Sequence, residues 1–122
     1  MTVRAVRGAI QVDEDAPACV LDATERLIRT LLERNGAEGD DLISMLFTVT
    51  EDITSAFPAE AARKMGMGQV PLLCAREIPV PGSMPLCIRV LIHASIDKKP
   101  SEIRHIYLGN AQKLRPDMKS AQ

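Results

Sequence analysis

Aromatic side chains are almost absent from this chain, which has no Trp, one tyrosine (Tyr107) and two phenylalanines (Phe47 and Phe57). Proteins that hold single-stranded nucleic acid stack its bases on several rings, so that class of function is disfavoured. A net charge of −1 offers no basic field for a phosphate backbone either. Cysteine is scarce: Cys19, Cys74 and Cys87 form no C-x-x-C pair, which argues against a disulfide framework or a structural zinc site. No apolar run approaches the ~20 residues of a membrane span. Arg4 and Arg7 are not followed by the apolar stretch of a secretion signal, so a cytoplasmic location is expected. The glycine-rich phosphate loops, the H-E-x-x-H zinc motif and the G-x-S-x-G nucleophile elbow are all missing, leaving dinucleotide, triphosphate, zincin and hydrolase chemistry without support.

What is present fits one globular domain over residues 1–122, with 46% apolar and 25% charged residues. The charges are unevenly placed. Residues 1–60 hold twelve acids against five bases, and residues 61–122 hold four acids against ten bases. Ten of the fifteen bases are arginine, whose planar fork matches a carboxylate. A small anionic ligand is one reading of this split, and a solvated basic face is the commoner one.

Residues 2–12 are rich in β-branched side chains and predict a first strand, with Gly8 marking a bulge or a close approach. Pro17 suits the first turn of a helix over 16–34. There Val20, Leu21, Thr24, Leu27, Ile28, Leu31 and Leu32 recur at helical spacing, and Asn35-Gly36 supplies the stop. A polar loop at 38–41 precedes a strand at 42–50. A short helix at 59–65 follows Phe57-Pro58 and ends at Gly66, and a strand is expected at 70–75. Pro79, Pro81, Gly82 and Pro85 make a stiff loop before the most apolar strand, 86–96. A helical turn at 101–104, a strand at 106–108 and a short helix at 111–114 complete the chain, with the last five residues expected to fray. The order is mixed α/β, with helices covering a single mixed sheet. One long helix covers only part of five strands, which suggests burial of the rest by oligomerisation.

Arg89 is the most informative residue. It interrupts an apolar strand, with Cys87 and Leu91 on its face and Ile88 and Val90 on the other, and its donors need a partner. That partner is either a structural carboxylate, Glu77 or Asp52, or a ligand carboxylate or oxyanion, and the sequence weights the two equally. Glu77, at a strand end, reads as solvated when taken alone. Arg7 sits beside Gly8-Ala9, which would let a ligand approach, although an exposed strand-edge arginine is the plainer reading. Arg63 alone reads as a surface residue, and Tyr107 as a core tyrosine with a wet tip. Cys74 lacks an activating base, since neither His93 nor His105 has a triad context, and Cys19 and Cys87 read as packing residues. Many arginines, one glutamate, one tyrosine and no convincing nucleophile remain.

Taken together these positions resemble the small trimeric chorismate mutases of the AroH type. The likeness runs through Val6-Arg7-Gly8-Ala9, Phe57-Pro58-Ala59 with Arg63, Cys74-Ala75-Arg76-Glu77, Cys87-Ile88-Arg89-Val90, Arg104-His105-Ile106-Tyr107-Leu108 and Leu114-Arg115-Pro116-Asp117. It implies a homotrimer forming a pseudo α/β barrel, with three sites between subunits. It also implies the pericyclic rearrangement of chorismate to prephenate without cofactor or metal. By resemblance, Arg89 faces the breaking ether oxygen, Arg7 and Tyr107 hold carboxylates, and Glu77 accepts from the ring hydroxyl with Cys74 as its hydrogen-bonding neighbour. Arg63, Phe57 and Ala59 come from the adjacent subunit, and Leu114, Arg115 and the tail close the mouth. Family members often carry lysine after the Phe-Pro-Ala segment; Glu60 stands there instead and is expected to face solvent. The alternative from a different class is a non-catalytic trimeric module that binds a small carboxylate with the same arginines.

Overall fold

The computed structural model describes residues 2–114. Its strands are β1 (Val3–Gln11), β2 (Leu42–Val49), β3 (Leu72–Arg76), β4 (Cys87–Ser95) and β5 (Ile106–Leu108), and its α-helices are α1 (Pro17–Arg34) and α2 (Ala59–Lys64). They form one mixed sheet in the order β3-β2-β4-β1-β5. β4 pairs antiparallel with both β1 and β2, while the edge strands β3 and β5 run parallel to β2 and β1.

The period-two pattern of β4 sends Ile88, Val90 and Ile92 into the main core, where Val20, Leu27, Ile28 and Leu31 of α1 meet Met45 and Phe47 of β2. Ala59 and Ala62 of α2 join the same layer, so both helices cover one face of the sheet. Asn35 ends α1 and ties it to the sheet. Its buried side chain donates to Leu31 O and Arg104 O at 2.8 and 2.9 Å and accepts from Arg104 N at 2.8 Å. Among the described residues the second face is covered at one end, where a 3-10 turn at Gly109–Leu114 packs Ala111 and Leu114 against Ala9, Cys87 and Tyr107. Elsewhere apolar side chains remain exposed, among them Leu73, Ile78 and Val80.

Several expectations shift. β3 begins at Leu72 rather than residue 70, because Val70 N closes a turn onto Met67 O and Pro71 has no N–H to offer a ladder. The 38–41 loop contains a 3-10 turn, and the turn expected at 101–104 is a 3-10 turn at Pro100–Glu102, with Arg104 N held by Asn35 instead. Gly8 makes no bulge, since β1 and β4 pair without a break across it. It marks a close approach of α1 and β5 to the strand: a Cβ there would lie 2.9 Å from Leu31 Cδ1 and 3.0 Å from Ile106 O. Arg115 and the terminal residues expected to fray lie outside the described residues. Among the described residues no helix is long and apolar enough to cross a membrane.

Candidate active site

The strand order puts β4 in the middle, so Arg89 has a cross-strand neighbour on each side, Ala9 on β1 and Thr48 on β2. With Arg7, Leu46, Leu91 and Tyr107, Arg89 and Thr48 line a cleft of about 140 Å³ on the face away from α1. Arg89 Nε lies 3.0 Å from Glu77 Oε2, which also accepts from Thr48 Oγ1 at 2.6 Å. The expectation of a solvated Glu77 is therefore corrected: its side chain is 16% exposed, because Glu77 N donates to Val49 O and so prolongs the β2–β3 ladder, and the side chain reaches across β2 to Thr48 and Arg89. Asp52 is not the partner of Arg89. Its carboxylate accepts from Leu86 N, and Thr50 Oγ1 accepts from Cys87 N at 2.9 Å. This clamp holds Leu86 at φ 51, a left-handed conformation that costs about 1–2 kcal/mol for a residue with a Cβ, and so fixes where β4 begins.

The Arg89–Glu77 contact is ionic rather than a hydrogen bond, for Nε–H is misaligned and stays buried without an acceptor. The Tyr107 hydroxyl is likewise buried without a partner among the described residues, so its tip is dry rather than wet. An unsatisfied phenol beside the Arg89 cleft marks a place for an acceptor, since such a group costs about 1–3 kcal/mol when left unmade. Arg7 adds a second guanidinium. Its backbone N–H donates to His105 Nδ1 at 3.0 Å, which ties β1 to the residue just before β5. Cys87, buried behind Arg89, has its thiol pushed up to about 11, chiefly by burial and against the favourable charge of Arg89. It is a neutral packing residue at ordinary pH.

Phe57, Ala59, Arg63 and Cys74 do not join this cleft within one chain. Phe57 and Cys74 line a separate, wider groove of about 430 Å³ with Glu60, Ala75 and Arg76. Ala59 is buried beneath it in the core, and Arg63 is exposed on α2. Cys74 pairs with Phe47 and packs against the core on the helix face, so it makes no hydrogen bond with Glu77 in its own chain. Glu60 is half-exposed and pairs with Lys64 at 3.7 Å, yet it lines the same groove as Phe57. Its side chain is 43% exposed at the rim of that groove and lies outside the Arg89 cleft. Thr48 escaped the sequence reading. A lone threonine in an apolar strand carries no signal until β2 is known to pair antiparallel with β4, which sets it opposite Arg89.

Two guanidinium groups, a phenol and a carboxylate already neutralised by its neighbours define a site for a small anion that offers no nucleophile. The model for "Chorismate mutase type I" matches residues 3–118. A "Chorismate mutase AroH" of Thermus thermophilus is 54% identical over 98% of this chain and 99% of its own length, and one of Bacillus subtilis (strain 168) is 36% identical over 97% and 94%. A solved "Chorismate mutase from Clostridium thermocellum" superposes with a TM-score of 0.89 at 44% identity, covering 90% of this chain and 98% of that one. The chain belongs to the type I chorismate mutase family. It is an isomerase with chorismate mutase activity, serving aromatic amino acid biosynthesis, and this decides against the binding-module alternative.

Proposed function

We propose that the chain acts as a homotrimer in which the Arg89 cleft of one subunit is completed by the Phe57 groove of the next. A small-molecule site typically occupies about 300–1,000 Å³, and the Arg89 cleft alone is well below that. The exposed apolar residues Leu73, Ile78 and Val80 and the half-covered sheet face supply surface for such packing. The observation that carries the reading is the buried Tyr107 hydroxyl, without a partner among the described residues, beside a cleft that also holds the guanidinium groups of Arg89 and Arg7.

The rearrangement of chorismate to prephenate breaks an ether C–O bond as a C–C bond forms, within one molecule. No atom is transferred to the protein, so catalysis reduces to holding the folded conformer and stabilising charge. Negative charge grows on the ether oxygen. Arg89, fixed from behind by Glu77, presents the rest of its fork to that oxygen and stabilises the transition state more than the ground state. Arg7 and Tyr107 hold the substrate carboxylates. Glu77 Oε2 is engaged by Thr48 and Arg89, which leaves Oε1 to accept from the ring hydroxyl. Phe57 walls the ring from the adjacent subunit, with Ala59, Arg63 and Cys74 beside it, while Leu114 borders the mouth.

A complementation experiment tests the shared site. Arg89→Ala and Phe57→Asp are each expected to lose most activity, with chorismate consumption followed by ultraviolet absorbance and prephenate identified as product. Co-refolded in equal amounts, they should regain about a quarter of wild-type activity, because about one interface in four then joins two intact halves. No recovery in mixed oligomers would mean that both halves act within one subunit.

A further inference from the structure

Outside the cleft and the groove, one carboxylate binds three donors at once. Asp15 lies in the turn between β1 and α1. Its Oδ2 accepts from Thr54 N and Thr54 Oγ1, both at 3.0 Å, and its Oδ1 accepts from Ser55 N at 3.1 Å. The contact joins parts of the chain about forty positions apart, and all the donors belong to the irregular segment between β2 and α2. Thr54 and Ser55 line the groove, and Phe57 follows two residues later.

Phe57 is 69% exposed, so packing within its own chain does not fix its ring. Its direction has to come from the backbone. On one side Pro58, at φ −55, restricts the residue before it to extended conformations. On the other side no sheet ladder reaches Thr54 and Ser55, whose amides are taken up by Asp15. We propose that Asp15 is a positioning residue for the reaction, a latch that sets the Thr54–Ser55 backbone and thereby aims Phe57 into the neighbouring subunit's cleft. The inference rests on the reading of the Phe57 groove as half of the site. Asp15 touches no substrate and acts only through the segment it holds.

A cycle of Asp15→Ala, Phe57→Ala and the double variant tests this, with kcat and KM measured on chorismate beside thermal melting of each protein. Asp15→Ala is expected to lower kcat/KM roughly tenfold, mostly through KM, since slight misplacement of a substrate wall is costly. In the Phe57→Ala background the same change should cost almost nothing further. Asp15→Asn, which retains one acceptor oxygen, should fall between wild type and alanine, and it replaces alanine in the cycle if the alanine protein does not fold. An equal Asp15 effect in both backgrounds would reduce the latch to general stabilisation and overturn the proposal, as would normal kcat/KM in Asp15→Ala beside an impaired Phe57→Ala. Normal kcat/KM in Phe57→Ala would instead overturn the groove reading, and the latch with it.

Discussion

Replacing Arg89 by lysine separates charge from geometry. In the wild type, Nε lies 3.0 Å from Glu77 Oε2, which leaves the two terminal nitrogens for the cleft. A lysine ends in a single ammonium that sits either beside Glu77 or toward the ether oxygen, but not at both. The positive charge inside the sheet survives, Glu77 keeps a cation within reach, and the oligomeric state should match wild type. The loss falls on the transition state. Removing one preorganised donor from a developing oxyanion costs about 2.7–4 kcal/mol, or roughly 10²–10³ in kcat. KM should change much less, because in the proposed site Arg7 and Tyr107, not Arg89, hold the carboxylates. The assay is initial-rate consumption of chorismate by a protein whose oligomeric state matches wild type in sedimentation. A folded variant of wild-type oligomeric state with kcat within a few-fold of wild type would remove Arg89 from the central role and leave it as the structural partner of Glu77.

Glu77→Gln should impair turnover more than Glu77→Asp, since glutamine keeps the shape but discards the charge that holds Arg89; the reverse order in kcat would sink the electrostatic account. Gly8→Ala places a Cβ 3.0 Å from Ile106 O, a backbone atom that cannot step aside as Leu27 and Leu31 can. The expected destabilisation is about 1–3 kcal/mol in urea melts at fixed protein concentration, and unchanged stability would mean that β5 shifts freely. Asp15 has its pKa lowered from 3.8 to about 2 by the Ser55 and Thr54 donors that face it, with the Ser55 and Thr54 amides and the Thr54 hydroxyl bonded at 3.0–3.1 Å, and loss of hydration opposes the shift. Its stabilising contribution is therefore complete above about 3.8 and lost as the pH falls through about 2. Melting curves of wild type and Asp15→Asn should converge over that window, and a constant gap would count against it.

The features legible in the sequence were those written in one element at a time. The periodic leucines of 16–34 give α1, and alternation along 86–96 places Arg89 on the opposite face from Ile88 and Val90. What stayed hidden depends on pairs of elements. Whether Glu77 is solvated depends on β3 lying parallel to β2 and two positions off β4, and whether Cys74 meets Glu77 depends on which face of β3 it occupies. Asp52 was a fair candidate for Arg89 by charge alone. Only the Leu86 turn shows that its oxygens are already taken. The resemblance supplied the activity, while the division of the site residues between a cleft and a separate groove became visible only in three dimensions.

That division bears on stability. A buried hydroxyl without a partner costs about 1–3 kcal/mol, and that of Tyr107, a residue 1% exposed, has none among the described residues. Deleting the oxygen leaves the ring and its packing against Ala9, Cys87 and Ala111 unchanged. Tyr107→Phe should therefore melt no lower than wild type, and higher if no neighbour supplies an acceptor, while KM for chorismate rises. Such a pairing of equal or greater stability with weaker substrate binding is the expected signature of a group retained for function at the expense of the fold. A clear loss of stability in Tyr107→Phe would show that the hydroxyl is bonded in the assembled protein, most simply across the subunit boundary. It would then belong to the architecture of the trimer rather than to the substrate.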